Sequence, residues 1–323
     1  MKAAYACYSL NNEVRFSSSS GGVYPMLAAE IINRSGAVYA ARYNAHLDVV
    51  HTRITNVQDI GPTQGSKYVE SFLDNTFSNV IKDMKAKKPV LFVGTPCQCA
   101  GLNSLIRYKG LDRNLVILID FVCHGVPGRL AWNAYKEEIS QKGNVLQSLN
   151  MRDKSSGWTH GNYSWKQVFE SGLEVITPQR QVSYMQGMLS NLYLRPSCFK
   201  CKFKGIERCT DLTLGDCWGI WNYQPELDDN KGTSLVLIHT DRGMGLFDSI
   251  KCKVQYADTD IDRAIKGNSC IIESTPKTSK SKIFYDRVMH GEVFSRVVAD
   301  LTHRSKGVLL ARKLKSFISK LRS

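Results

Sequence analysis

A mixed, largely parallel α/β sheet with flanking helices, a smaller antiparallel insertion and a C-terminal helix is the fold this sequence predicts. Three observations predict it. The apolar segments Val90 to Gly94 and Val116 to Val122 alternate with helical periodicity, the pattern of strands covered on both faces. Residues 151 to 185 turn aromatic and alternate with period two, as antiparallel hairpins do. The end of the chain, GVLLARKLKSFISKLRS (307 to 323), sets Leu310, Leu314, Phe317, Ile318 and Leu321 on one face of a basic helix.

In chain order, Lys2 to Tyr8 reads as a strand and FSSSSGG (16 to 22) as a polar turn. A helix follows over Val23 to Ile32, because Met26, Leu27, Ala28, Ile31 and Ile32 recur at helical spacing. Pro25 suits its first turn, and Ser35-Gly36 stops it before the strand Ala37 to Ala41. A helix through Ile81 and Met84 leads to the strand Val90 to Gly94. The loop GTPCQC (94 to 99) opens a helix through Leu102 and Ile106, and the strand Val116 to Val122 runs into CHGVP (123 to 127). After the hairpins come a helix over Tyr184 to Leu194, a cysteine segment at 197 to 217 and the buried strand Ser234 to Ile238. The expected division is an N-terminal α/β unit at 1–75, a core at 76–245 and a C-terminal region at 246–323.

With 43 Lys and Arg against 29 Asp and Glu, the 323 residues carry a net charge of +14. No helix-turn-helix, zinc-finger or RNA-binding signature accompanies that charge, so nucleic acid is not the expected partner, and acidic partners or anionic cofactors are. The apolar run Leu115 to Cys123 contains Asp120 and falls far short of the roughly 18 residues that span a bilayer. MKAAYACYSLNNEVRF has no apolar secretory core, which makes a cytoplasmic location the expectation. In a reducing compartment, ten cysteines point to metal or redox chemistry rather than to disulfides. The terminal helix reads most simply as a surface or partner helix, with peripheral contact to an anionic membrane as its alternative.

The strongest local signal is SCFKCKFKG, a CxxC at Cys198 and Cys201. Such a pair serves half a zinc site, a redox couple or half a cluster site, and it needs two further ligands to close a four-thiolate site. Cys209 and Cys217 are the near candidates and would make a non-catalytic zinc-binding interaction module. Cys217, in the alternating LTLGDCWGI, reads equally as a buried apolar thiol. Cys97 and Cys123 are the far candidates, each on a loop past the carboxyl end of a buried strand, where ligands collect in parallel sheets. Ser19, Ser20, Gly21 and Gly22 before an apolar helix offer hydroxyls, backbone N–H groups and a helix dipole suited to a pyrophosphate. Ser66, Lys67 and Tyr68 add donors and a cation, and Gly94-Thr95 allows close backbone approach. His124 is the candidate proton donor, its plain alternative being to hydrogen-bond and hold its loop.

Seven ordered blocks over Val14 to Thr240 then form a recognisable pattern: SSSGG (18 to 22), GSKYVES (65 to 71), LFVGTPCQCAGL (91 to 102), IDFVCHGVP (119 to 127), SNLYLRPSCFKCKFKG (190 to 205), DLTLGDCWGI (211 to 220) and DDNKGTSLVL (228 to 237). The sequence resembles the beta-subunit family of coenzyme F420 hydrogenases and dehydrogenases. That resemblance implies a flavin and iron-sulfur oxidoreductase in which Cys97, Cys123, Cys198 and Cys201 hold one [4Fe-4S] cluster beside FAD, with Ser19 to Gly22, Ser66 to Tyr68, Gly94 and Thr95 as flavin contacts. Lys200, Lys202 and Lys204 would offset the cluster's charge or form a solvated face. Many relatives carry an N-terminal CxxCxxCxxxCP ferredoxin module, but only Cys7 precedes Cys97 here, so electrons are expected from a separate ferredoxin-like carrier or from coenzyme F420. The substrate is a small molecule. Similarity to relatives encoded among surface-polysaccharide genes associates it with that biosynthesis.

Overall fold

The structure is a computed structural model describing residues 1–140 and 144–303. The basic C-terminal helix expected over 307–323 lies outside the described residues. In chain order the elements are β1 (Ala3–Ser9), α1 (Asn12–Phe16), α2 (Val23–Asn33), β2 (Ala37–Tyr43), β3 (Val49–Ile54), β4 (Ser71–Phe72), α3 (Thr76–Lys85), β5 (Val90–Gly94), α4 (Pro96–Tyr108), β6 (Val116–Phe121) and α5 (Arg129–Ile139). There follow β7 (Leu146–Asp153), β8 (Ser164–Phe169), β9 (Glu174–Pro178), α6 (Ser183–Leu189), β10 (Leu212–Asp216), β11 (Ser234–Ile238), α7 (Asp241–Asp248), β12 (Val254–Asp258), α8 (Ile261–Gly267), α9 (Lys280–Met289) and α10 (Phe294–Thr302).

Nine strands form one mixed sheet in the order β12-β1-β11-β10-β6-β5-β2-β3-β4. Its centre, β10-β6-β5-β2, is parallel. Antiparallel pairs close both flanks, β2 with β3 on one side and β10-β11-β1-β12 on the other. The sheet draws strands from all three of the ranges 1–75, 76–245 and 246–323.

Although the central strands are largely apolar, their two faces serve different layers, because side chains alternate along a strand. Val38, Leu91, Ile119, Leu212 and Val236 pack with Leu27 and Ile31 of α2 and Leu246 and Phe247 of α7. Tyr39, Val90, Phe92, Val116 and Leu118 face Val80 and Met84 of α3 and Leu102 and Ile106 of α4. The predicted antiparallel insertion is the three-stranded sheet β7-β8-β9. It packs with α5, α6, α9 and α10 around Trp132, Tyr135, Trp165, Tyr184, Tyr193, Phe284 and Phe294. The helix expected to run to Leu194 ends at Leu189, and Asn191 turns the chain at φ 62°. No helix among the described residues is long and apolar enough to cross a membrane.

Candidate functional site

The carboxyl edge of the parallel centre gathers the chemistry-bearing residues. At the end of β5, Thr95 caps α4 with a reciprocal box: its N–H donates to Gln98 Oε1 at 2.9 Å, and its hydroxyl accepts from Gln98 N–H at 3.4 Å. A Cβ on Gly94 would lie 2.8 Å from the Phe92 ring and 3.0 Å from Gln98 Oε1, so glycine is what lets that cap close. With Pro96 at the first helical position, Cys97 falls in the first turn of α4 rather than on a loop. It is exposed, and its Sγ lies 3.1 Å from Thr95 Oγ1.

Cys123 follows β6, in a chain segment held to β10 by Val122 N–H donating to Leu214 O. The two residues Val126 and Arg195 bring the CxxC turn against it: Arg195 N–H donates to Val126 O at 2.8 Å, and Val126 N–H donates to Cys198 Sγ at 3.4 Å. Gly125 permits this approach, since a Cβ there would lie 2.9 Å from Leu194 Cδ1 and 3.5 Å from Cys198 Cβ. Cys201 N–H donates to Ser274 Oγ at 3.0 Å, which fastens the other end of the turn. Burial pushes the Cys123 thiol up to about 12; Lys204 opposes the rise, and Cys198, Cys97 and Cys270 add to it. Burial likewise raises Cys198, where Cys97 and Cys201 are again among the groups that raise it. Cys97 and Cys198 are thus near Cys123, and Cys97 and Cys201 near Cys198, which gathers the four cysteines at this edge.

Among the described residues, no three His, Cys, Asp or Glu side chains close up tightly enough to hold a single metal ion. A zinc ion at about 2.3 Å from each sulfur draws thiolates into contact, whereas an iron-sulfur cluster spreads them over separate irons. The donor set here, four thiols from three segments with an N–H directed at one sulfur, is of a kind an iron-sulfur cluster can use. The alternative zinc set divides between regions. Cys217 is fully buried with Trp158, Ile220, Leu235 and Ile271, its Sγ 3.2 Å from Tyr223 Oη, while Cys209 is exposed. Cys99 is another buried thiol, donating to Ile119 O.

On the flavin side the structure joins some of the predicted residues and engages others internally. Ser19 Oγ accepts from Ser66 N–H at 2.5 Å and lies 2.9 Å from Ser66 Oγ. Ser20 Oγ donates to Thr233 O and Gly21 N–H to Ser234 Oγ, so these two groups serve the start of β11. Gly21 has no room for a side chain, since a Cβ would lie 2.3 Å from Cys7 O; Gly22 begins α2 at φ 84°. Burial brings Lys67 down to about 7, and its amine donates to the carbonyls of Thr63, Gln64 and Gly65. His124 Nε2 lies 2.9 Å from Asn191 Oδ1, and its carbonyl accepts from Thr275, the geometry of a residue that holds its loop. A cavity of about 670 Å³ lies off this centre, between α1, α2 and residues 57–64, and none of the predicted site residues lines it.

Three residues carry no signal in the sequence. Arg152 forms a two-pronged ion pair with Asp216 at 2.8 and 2.9 Å, and also donates to Ser19 O and Tyr68 Oη, both at 3.0 Å. Lys154, almost fully buried, donates to the carbonyls of Arg15, Ser20 and Lys231. Cys270 stands beside Cys123. Neither basic residue has a motif around it. Only the alternation of β7, which ends at Asp153, bears on Arg152, and it does not show that Arg152 turns inward.

A family model for the C terminus of the coenzyme F420 hydrogenase/dehydrogenase beta subunit matches residues 87–263, more than half the chain. No curated protein matches the sequence. Among solved structures, one chain of the xenon-derivatised F420-reducing [NiFe] hydrogenase complex from Methanosarcina barkeri is similar in fold. It is 14% identical, with a TM-score of 0.56, over 90% of this chain and 93% of that one.

Proposed function

The chain belongs to the coenzyme F420 hydrogenase/dehydrogenase beta-subunit family, and from that premise we propose that it is an oxidoreductase using FAD and one [4Fe-4S] cluster to pass electrons between a ferredoxin-like carrier or F420 and a small-molecule substrate. The observation that carries this reading is the convergence of Cys97, Cys123, Cys198 and Cys201 at the carboxyl edge of the sheet. When bound, the cluster supplies one-electron transfer and the flavin two-electron chemistry.

The chain's own residues divide the remaining work. Cys97 from α4, Cys123 from the end of β6 and the Cys198–Cys201 turn supply four thiolates from three segments, and Val126 N–H donates to one sulfur. Ser19, Ser66 and Tyr68, tied together through Arg152, offer a polar edge for the flavin, with Lys67 behind it. Gly94 and Thr95 act less directly, by holding the Gln98 cap that sets Cys97 at the start of α4. His124 acts through Asn191 to hold the Cys123 loop; it is a positioning residue.

The test is anaerobic purification followed by iron, sulfide, zinc and flavin analysis, with visible spectra before and after dithionite. The expected result is about four iron, four sulfide and one FAD per chain. One zinc with no sulfide and no flavin would replace this reading with an interaction module.

A further inference from the structure

Three lysines stand in or just after the CxxC turn, in KCKFK, and nothing in the sequence sets one apart. In the structure they are not. Lys200 and Lys202 are exposed, whereas Lys204 is partly buried and turns inward. Its amine donates to Cys123 O at 2.6 Å and to Cys270 O at 2.7 Å. The next residue repeats the link, Gly205 N–H donating to Ile271 O at 2.8 Å.

The charges around this amine decide what it does. Arg208 also reaches the 270–271 loop, but its guanidinium is matched by buried Asp120 at 2.8 Å. Arg195 is paired with Glu70 at 3.2 Å. His124 faces Asn191, its Nε2 lying 2.9 Å from Asn191 Oδ1. Lys204 has carbonyl partners only and forms no ion pair among the described residues. It is an uncompensated cation on the backbone of a cysteine in the thiol cluster. A cation so placed, partly withdrawn from solvent, stabilises the more negative, reduced state of a neighbouring redox centre more than an exposed lysine, which solvent screens.

We infer that Lys204 is a positioning residue that clamps the Cys123 loop to the Cys270 loop and, by its charge, raises the reduction potential of the cluster held there. The inference rests on the cluster reading above. Its consequence is a centre reducible by a weaker donor than the four thiolates alone would allow.

Lys204→Gln tests it, since glutamine keeps a hydrogen-bond donor and drops the charge. Wild type, Lys204→Gln, Lys200→Gln and Lys202→Gln are analysed for iron and sulfide, then titrated reductively with the reduced cluster followed by electron paramagnetic resonance. The expected result is equal iron content, with the reduced-to-oxidised ratio at fixed potential about tenfold lower in Lys204→Gln, about 59 mV for one electron. The two exposed variants stay within about twofold of wild type. A fully loaded Lys204→Gln protein with a wild-type ratio overturns the inference and leaves the cluster reading intact, whereas a wild type without iron and sulfide overturns both. Should Lys204→Gln load poorly, Lys204→Arg decides. Full loading with a ratio near wild type supports the inference, and full loading with a tenfold shift overturns it.

Discussion

Replacing Arg152 by Met tests whether the polar floor beneath the Ser19 loop is a connected unit. The guanidinium side chain is 3% exposed and Asp216 16%, and four hydrogen bonds join Arg152 to Asp216, Ser19 O and Tyr68 Oη. Its plane also lies 4.1 Å from the Tyr163 ring centroid. Met fills much of the volume but leaves the Asp216 carboxylate with Trp158 Nε1, at 3.3 Å, as its remaining side-chain donor. Removing one partner of a buried ion pair costs about 3–5 kcal/mol. Unfolding entropy of about 2.1 cal/mol/K per residue gives a chain of this length about 0.7 kcal/mol/K, so a cost of about 4 kcal/mol lowers Tm by about 6 °C. The assay is thermal unfolding of the cofactor-free protein by circular dichroism, with a second probe to establish a single transition. Asp216→Asn alone should be comparably damaging, and the double variant should recover at least about 2 kcal/mol relative to additivity. A single variant within about 1 °C of wild type, or strict additivity, refutes the reasoning.

The cysteine assignment predicts that Ser substitution of Cys97, Cys123, Cys198 or Cys201 depletes iron and sulfide severely, whereas Cys209→Ser and Cys217→Ser retain both; elemental analysis of the six purified variants decides it. Burial also brings His51 and His239 down to about 4, below the unfolded value near 6.5. The folded protein then binds fewer protons than the unfolded chain between these values, so the stabilisation is complete above about pH 6.5 and is lost as pH falls toward 4, on the order of 3 kcal/mol for each histidine. Urea midpoints at descending pH should show the loss, and His51→Gln, which can still donate to Val93 O, should reduce it by about half. An unchanged slope in that variant would remove His51 from the account.

The elements legible in the sequence are those whose environment is local or uniform. Val90 to Gly94 and Ser234 to Ile238 match β5 and β11 to the residue, because strands covered on both faces are apolar from end to end. The hairpins showed through alternation, and α2 through its helical spacing. Pairing left no such mark: β1 stands just before α2 and β2, yet its neighbours are β11 and β12, antiparallel and far downstream. At the site, the cysteines were readable as ordered motifs. Lys204 was not separable from Lys200 and Lys202, since their difference in burial depends on where the 270 loop lies. Ser20 and Gly21 read as free donors, because nothing local to FSSSSGG announces Thr233 and Ser234.

The distant partners of β1 impose an order on biosynthesis. At about 5–20 residues per second, roughly 225 residues of translation separate β1 from β11, an interval of ~11–45 s. All four cysteines proposed to hold the cluster emerge within that interval, before β10 pairs beside Cys123 or β11 and β1 complete the flank. The thiols thus precede the sheet that spaces them. On the proposed cluster reading, iron-sulfur insertion belongs after closure of the sheet, and a nascent chain stalled before β11 would present cysteines to the cell without the geometry to select what binds them.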